Sequence, residues 1–120
     1  MKRTISLKDN KQFKKIYSKG KSFANNLLVI YYMKNNLSVV RLGITVNKKV
    51  GKAVVRNRVR RLIKESYRLK EKYLAEGYDI VFVSRIRAKD ATYKEISGAM
   101  HHLLKKAGLL KIEESECNEK

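Results

Sequence analysis

The stretch Asn47–Arg68, NKKVGKAVVRNRVRRLIKESYR, limits the possible folds more than any other part of the chain. Wound as a helix, it puts Val55, Val59, Leu62 and Ile63 on one face, with Tyr67 at the edge of that face. The other side carries Arg56, Asn57, Arg58, Arg60, Arg61, Lys64 and Arg68, with no acid before Glu65. A helix divided in this way lays one side on a hydrophobic core and turns the other outward. The i,i+4 pairs Arg56/Arg60 and Arg60/Lys64 repel by roughly 0.2–0.5 kcal/mol each on an isolated helix, so a polyanion is the natural complement. A merely solvated face mixes signs and can be built from Lys. Here Arg dominates, and its planar fork holds phosphate through paired hydrogen bonds and stacks on bases. Asn57 adds a neutral donor and acceptor suited to a base edge or a 2′-hydroxyl.

Charge along the chain points the same way. Residues 10–64 contain 15 Lys or Arg and no Asp or Glu, while the other 65 residues hold 14 basic and 11 acidic side chains, so nearly all of the +18 net charge sits in one half. Such a field speeds encounter with a polyanion, and nucleic acid is the first candidate partner. A membrane surface fits less well, because the basic helix lacks a Trp/Phe/Leu insertion face. No apolar run reaches the roughly 18 residues of a membrane span. Met1-Lys2-Arg3 leads into polar sequence rather than a secretory signal, so a cytoplasmic protein is expected. At 120 residues a single RNA-binding domain over 1–112 is expected, followed by an acidic, disordered tail, EESECNEK, at 113–120. The lone Cys117 excludes an intramolecular disulfide or a thiol metal site.

From the N-terminus, residues 1–8 read as irregular, and Asp9 with Gln12 has the spacing of a helix cap. The helix that follows carries Phe13, Ile16 and Tyr17, with Gly20 placed as a left-handed terminator. Two strands, about 27–34 and 38–47, flank Asn35-Asn36, which predicts an antiparallel hairpin. In the second strand Val40, Leu42, Ile44 and Val46 share one face. The first strand is apolar on both faces, so periodicity leaves open whether Tyr31 is core or surface. If the first helix lies along the open sheet face, Phe13, Tyr17 and an outward Tyr31 share a groove rimmed by cations, a surface suited to single-stranded RNA. Gly51 leads into the central helix, where backbone amides can meet an anion. YDIVFVSR at 78–85 predicts an inner strand covered on both sides or a parallel one, and Thr92 with Glu95 caps a last helix whose buried stripe is Ile96, Met100, Leu103, Leu104 and Ala107, ending at Gly108. The order α, β, β, α, β, α predicts an α+β two-layer sandwich.

No protein catalytic constellation stands out. His101 and His102 point about 100° apart on a helix, which does not suit joint chelation. No acid lies between Asp9 and Glu65, so the basic region contains no carboxylate pair. Any hydrolysis therefore needs a partner that supplies the metal site, and a large RNA can do so.

Together with the Phe13/Tyr17 helix and the strand order, Leu42–Arg68 (LGITVNKKVGKAVVRNRVRRLIKESYR) resembles the protein subunit of bacterial ribonuclease P, over about residues 4–110. The resemblance implies that a catalytic RNA holds Mg2+ and cuts the 5′ leader from precursor tRNA. The protein, binding no cofactor itself, would hold leader and RNA together. It implies leader contacts at Phe13, Tyr17, Tyr31, Lys48 and Lys49, and RNA-subunit contacts at Lys52, Arg56, Asn57, Arg58, Arg60, Arg61, Lys64 and Arg68. One protein per RNA, monomeric when alone, is also implied. So are a mixed sheet of about four strands in the order α-β-β-β-α-β-α, a left-handed β-α-β crossover and a short strand near 22–24. The chain departs from the pattern at Ile86, where family members often have proline. A ribosomal or RNA-chaperone protein shares the charge but does not account for an aromatic groove beside one Arg-Asn-Arg helix. A helix-turn-helix DNA reader needs a short helix where this chain predicts a strand.

Overall fold

The structure, a computed structural model, describes residues 4–111; the tail at 113–120 and Cys117 lie outside the described residues. Five strands, β1 (Thr4–Ser6), β2 (Lys21–Ala24), β3 (Leu28–Lys34), β4 (Val40–Val46) and β5 (Tyr78–Ser84), combine with three helices, α1 (Asn10–Lys19), α2 (Ala53–Lys70) and α3 (Tyr93–Lys106). They form one mixed sheet in the order β1-β4-β5-β3-β2. The fold is α+β as expected, with five strands rather than about four.

The doubly apolar β5 organises this sheet. Ile80, Val81 and Phe82 are all fully buried, which requires a strand with neighbours on both edges and cover on both faces. β5 therefore lies between β4, to which it is parallel, and β3, to which it is antiparallel. The expected β3/β4 hairpin does not form. Asn36 adopts the positive φ of a turn, at 61°, but the turn joins strands separated by the width of β5. The parallel β4/β5 pair makes α2 a β-α-β crossover. Residues 4–6, expected to be irregular, instead run parallel to β4, and the Thr4 hydroxyl lies 2.7 Å from that of Tyr67 on α2.

Alternation along the strands sorts the core into two parts. On one face Leu28, Ile30, Val40, Leu42, Val46, Ile80 and Phe82 meet Val59, Ile63 and Tyr67 of α2 and Ile96, Met100, Leu103 and Leu104 of α3. At about 1.5–3 kcal/mol for each large side chain taken out of water, this is the main stabilising cluster. The other face carries α1 over a smaller cluster of Leu7, Ile16 and Val81, with Phe13, Tyr31, Met33 and Val83 partly buried around it. Helices therefore cover both faces. Asp9 caps α1 by accepting from the Lys11 amide at 2.9 Å, and Thr92 and Glu95 close a reciprocal capping box on α3. Gly108, at φ 74°, ends α3 as expected. Gly20 does not end α1 in the left-handed region, since its φ is −77°. Glycine is needed there because a Cβ would lie 2.6 Å from the Ile16 carbonyl oxygen and 2.9 Å from that of Tyr32.

Candidate nucleic-acid interface

Only Ile16 of α1 is fully buried, so the helix sits lightly on the sheet and its aromatic residues remain near the surface. The structure brings Phe13, Tyr17 and Tyr31 together. Phe13 and Tyr17 have ring centres 6.2 Å apart, and Tyr17 meets Tyr31 edge to face at 4.9 Å. Tyr31 points to the α1 face because its neighbours Ile30 and Tyr32 point into the main core, which settles the ambiguity of this strand. The Tyr17 hydroxyl lies 3.0 Å from Thr45 Oγ1 on β4, yet 39% of the residue remains exposed. Gly43, buried beneath, makes the close approach possible: a Cβ there would come within 2.5 Å of the Phe13 ring. The result is a ring surface anchored from below and open above.

The second surface is the outward side of α2. Lys52, Asn57, Arg60, Arg61, Lys64 and Arg68 are exposed, while Arg56 and Arg58 are partly covered. Two of these cations also support the fold. Arg56 Nε donates to the Gly51 carbonyl at 3.1 Å, and the Arg58 guanidinium donates to Lys89 O at 3.3 Å and Ala91 O at 2.9 Å, tying α2 to the start of α3. Arg68 pairs with Glu65, and this hydrogen bond holds the Glu65 carboxyl below its ordinary range. The Gly51 amide is not available to an anion, because it donates to Lys48 O at 3.3 Å within the turn Lys48–Val50.

A third feature was missed by reading residues in order. Where β4 and β5 end side by side, Asn26, Asn47, Lys49, Val83, Arg85 and Arg87 line an open groove of about 570 Å³. Val83 belongs to the α1-side cluster, so this groove continues the aromatic face. Lys49 joins Arg85 and Arg87 there, whereas Lys48 is exposed outside the lining. Arg85 is held by a bond from Nη1 to Asn25 O at 3.0 Å and from its amide to Leu27 O at 2.8 Å. At the other end of the same strands Arg41 and Asp79 form a two-pronged ion pair, both contacts at 2.7 Å, reinforced by Asn35. Positive charge is neutralised at that end and left free at the groove. Among the described residues no group of three or more His, Cys, Asp or Glu can hold a metal ion. His101 and His102 are exposed, and His102 Nδ1 lies 3.3 Å from the Asn25 amide nitrogen. No helix among the described residues is long and apolar enough to cross a membrane.

This fold and these surfaces define a class: a small, strongly basic α+β protein made to bind RNA. The comparisons make it specific. The family model described as Ribonuclease P matches residues 1–108. A ribonuclease P protein component of Clostridium novyi is 53% identical over 111 residues, covering 91% of this chain and 98% of the relative. One from Clostridioides difficile is also 53% identical, covering 89% and 95%. The solved RNase P protein of Staphylococcus aureus superposes with a TM-score of 0.82 at 37% identity, covering 88% of this chain and 97% of that one. The protein from Thermotoga maritima gives 0.78 at 30%, covering 84% and 96%. The chain belongs to the ribonuclease P protein component family, as a subunit of the endoribonuclease that processes tRNA 5′ ends and as a partner of its RNA subunit. That membership displaces the ribosomal, chaperone and DNA-reader alternatives.

Proposed function

We propose that the aromatic sheet face holds the single-stranded 5′ leader of precursor tRNA, while the outward side of α2 holds the catalytic RNA. The observation that carries this reading is the Tyr17/Tyr31 contact at 4.9 Å with Tyr17 still 39% exposed. Rings held in position from below can stack on bases without a new ordering cost, at about 1–3 kcal/mol per base. Lys49, Arg85 and Arg87 supply phosphate contacts along the continuing groove, and the exposed Lys48 beside it adds another, all independent of leader sequence. Lys52, Arg56, Asn57, Arg58, Arg60, Arg61, Lys64 and Arg68 face the RNA subunit, with Arg56 and Arg58 also bracing the fold.

Mg2+ belongs to the RNA subunit in this reading, and the chain's part in catalysis is placement. Binding leader and ribozyme at once makes leader docking intramolecular within the holoenzyme, which favours precursor over mature tRNA. One protein copy serves one RNA, in the cytoplasm, and the protein alone is monomeric. Reconstitution tests this. Adding the protein to the catalytic RNA at low Mg2+ should speed leader removal, and the protein with Mg2+ but no RNA should give none. Cleavage by the RNA-free protein would overturn the assignment of chemistry to the RNA.

A further inference from the structure

A second and larger hollow, of about 810 Å³, lies along the turn Ile86–Asp90 that leads from β5 to α3. Its floor is the part of α3 around Gly98 and Ala99, and its walls are that turn and the link between β2 and β3. Both walls are fixed in advance. Asn25 in the link donates from Nδ2 to Ala99 O at 2.9 Å, and its Oδ1 accepts from the Leu27 and Leu28 amides at 3.1 and 3.0 Å. Arg58 holds the turn through Lys89 O and Ala91 O. Gly98 is the residue that packing does not explain. Glycine weakens a helix interior more than any residue except proline, yet a Cβ at this exposed position would meet nothing within 4 Å. What the missing side chain preserves is the open volume over the helix.

Asn26, Ile86 and Arg87 line both this hollow and the groove at the ends of β4 and β5, so the two are continuous. Their chemistry differs. The groove combines Lys49, Arg85 and Arg87 with no acid, which suits phosphate, whereas in the hollow Asp90 and Glu95 offset Lys89 and Lys94. Leu27, Ala91 and the half-exposed Ile86 add apolar surface there. A balanced charge and an apolar lining suit a flat, uncharged ring. Arg87, shared by the two, can meet a phosphate with its charge and a base with its plane. We propose that the hollow is a base-binding subsite for the leader, in which one nucleotide rests its phosphate on the groove cations and turns its base past Ile86 onto the Gly98 floor. The proposal rests on the groove holding the leader, and it adds one position at which the base is held as well as the phosphate.

Abasic substitution along the leader, one nucleotide at a time, tests this in the reconstituted holoenzyme. The native protein should show a position, separate from those silenced by Tyr17→Ala, where loss of the base weakens precursor tRNA binding about fivefold or more. Gly98→Leu fills the hollow and should abolish the effect at that position alone, with RNA-subunit and mature tRNA affinities unchanged. An abasic profile identical in the native and Gly98→Leu holoenzymes would overturn the proposal. Weaker RNA-subunit binding with an unaltered profile would overturn it too, by assigning the hollow to that RNA. Gly98→Ala should raise the thermal midpoint, since alanine favours the helix, and a fall would make the glycine structural and remove the ground for the subsite. With no substitution in the protein, a photoreactive thiouridine at the reported position should crosslink within residues 86–102, and crosslinks confined to other segments would contradict the assignment. Failure of the underlying reading registers separately, as a native holoenzyme that holds precursor and mature tRNA alike.

Discussion

Gly43→Ala tests how the aromatic face is supported. An added Cβ would lie 2.5 Å from Phe13 Cε1 and 2.7 Å from Cζ, with Leu7 Cδ1 at 3.3 Å on another side. Carbon atoms pack at about 3.5–4.0 Å, so the ring must retreat by roughly 1 Å. Gly43 lies within a strand hydrogen-bonded on both edges, so β4 will not yield and α1, with Ile16 as its only fully buried residue, will. Overpacking of this kind costs about 1–3 kcal/mol. Tyr17 lies one turn after Phe13, so the same shift opens its contact with Tyr31 and should weaken precursor tRNA binding. Urea unfolding of the two single variants and the Phe13→Ala/Gly43→Ala double variant supplies the cycle. With the ring gone the methyl has room, so Gly43→Ala should then cost less than about 0.5 kcal/mol, leaving a coupling of roughly 1–2 kcal/mol. Equal cost in both backgrounds would refute the claim that Phe13 rests on Gly43.

Further outcomes follow from the charge layout. Arg60→Ala and Arg61→Ala should keep the fold and each flatten the salt dependence of RNA-subunit binding by about 0.7–0.9 in log K against log salt, measured by filter binding; unchanged slopes would make this side merely solvated. Asp79→Ala leaves Arg41 unmatched, and removes one of the two acceptors of the Asn35 amide, at a site where the Arg41 side chain is 24% exposed, so after discounting for solvent a loss of about 1–3 kcal/mol is expected in urea, with RNA affinity little changed. Although His101 is exposed at the surface, partial desolvation of its imidazole first, then the charges of Lys70 and Lys105, hold it below its ordinary value of 6.5. The unfolded chain therefore takes up that proton first, and stability should fall as pH drops below about 6.5. His101→Gln should shrink the difference in urea midpoint between pH 7.5 and 5.5, and an unchanged difference would remove His101 from the account.

Local signals were legible where local physics decides. The α2 stripe, the Thr92–Glu95 box and the α3 stripe depend on residues three or four apart, and each stands where the sequence places it. The inner position of β5 was equally readable, because no other site tolerates Ile80, Val81 and Phe82 buried together. Pairing was not, because it depends on residues far apart in sequence. Asn35-Asn36 carries turn chemistry whether or not the strands it joins are neighbours, and only the insertion of β5 parts them. Arg85 and Arg87 were not singled out because no local signal reports that β4 and β5 end side by side; as parallel neighbours they open a crevice at their carboxyl ends. β1 is three residues long, too short for any period to show, and its place depends on β4 and on Tyr67. The division of α2 cations into those bracing the fold and those left free was also invisible, since Arg58 reaches carbonyls more than thirty residues away.

The most direct test of the leader-and-ribozyme reading is the affinity of the reconstituted holoenzyme for precursor tRNA relative to mature tRNA, with the native protein and with Phe13→Ala, Tyr17→Ala and Tyr31→Ala. The native holoenzyme should favour the precursor. Each good stacking contact removed should cut that preference by roughly tenfold, while mature tRNA affinity stays nearly constant. Substitutions that weaken both tRNA forms equally, or that leave the preference intact, would contradict the account.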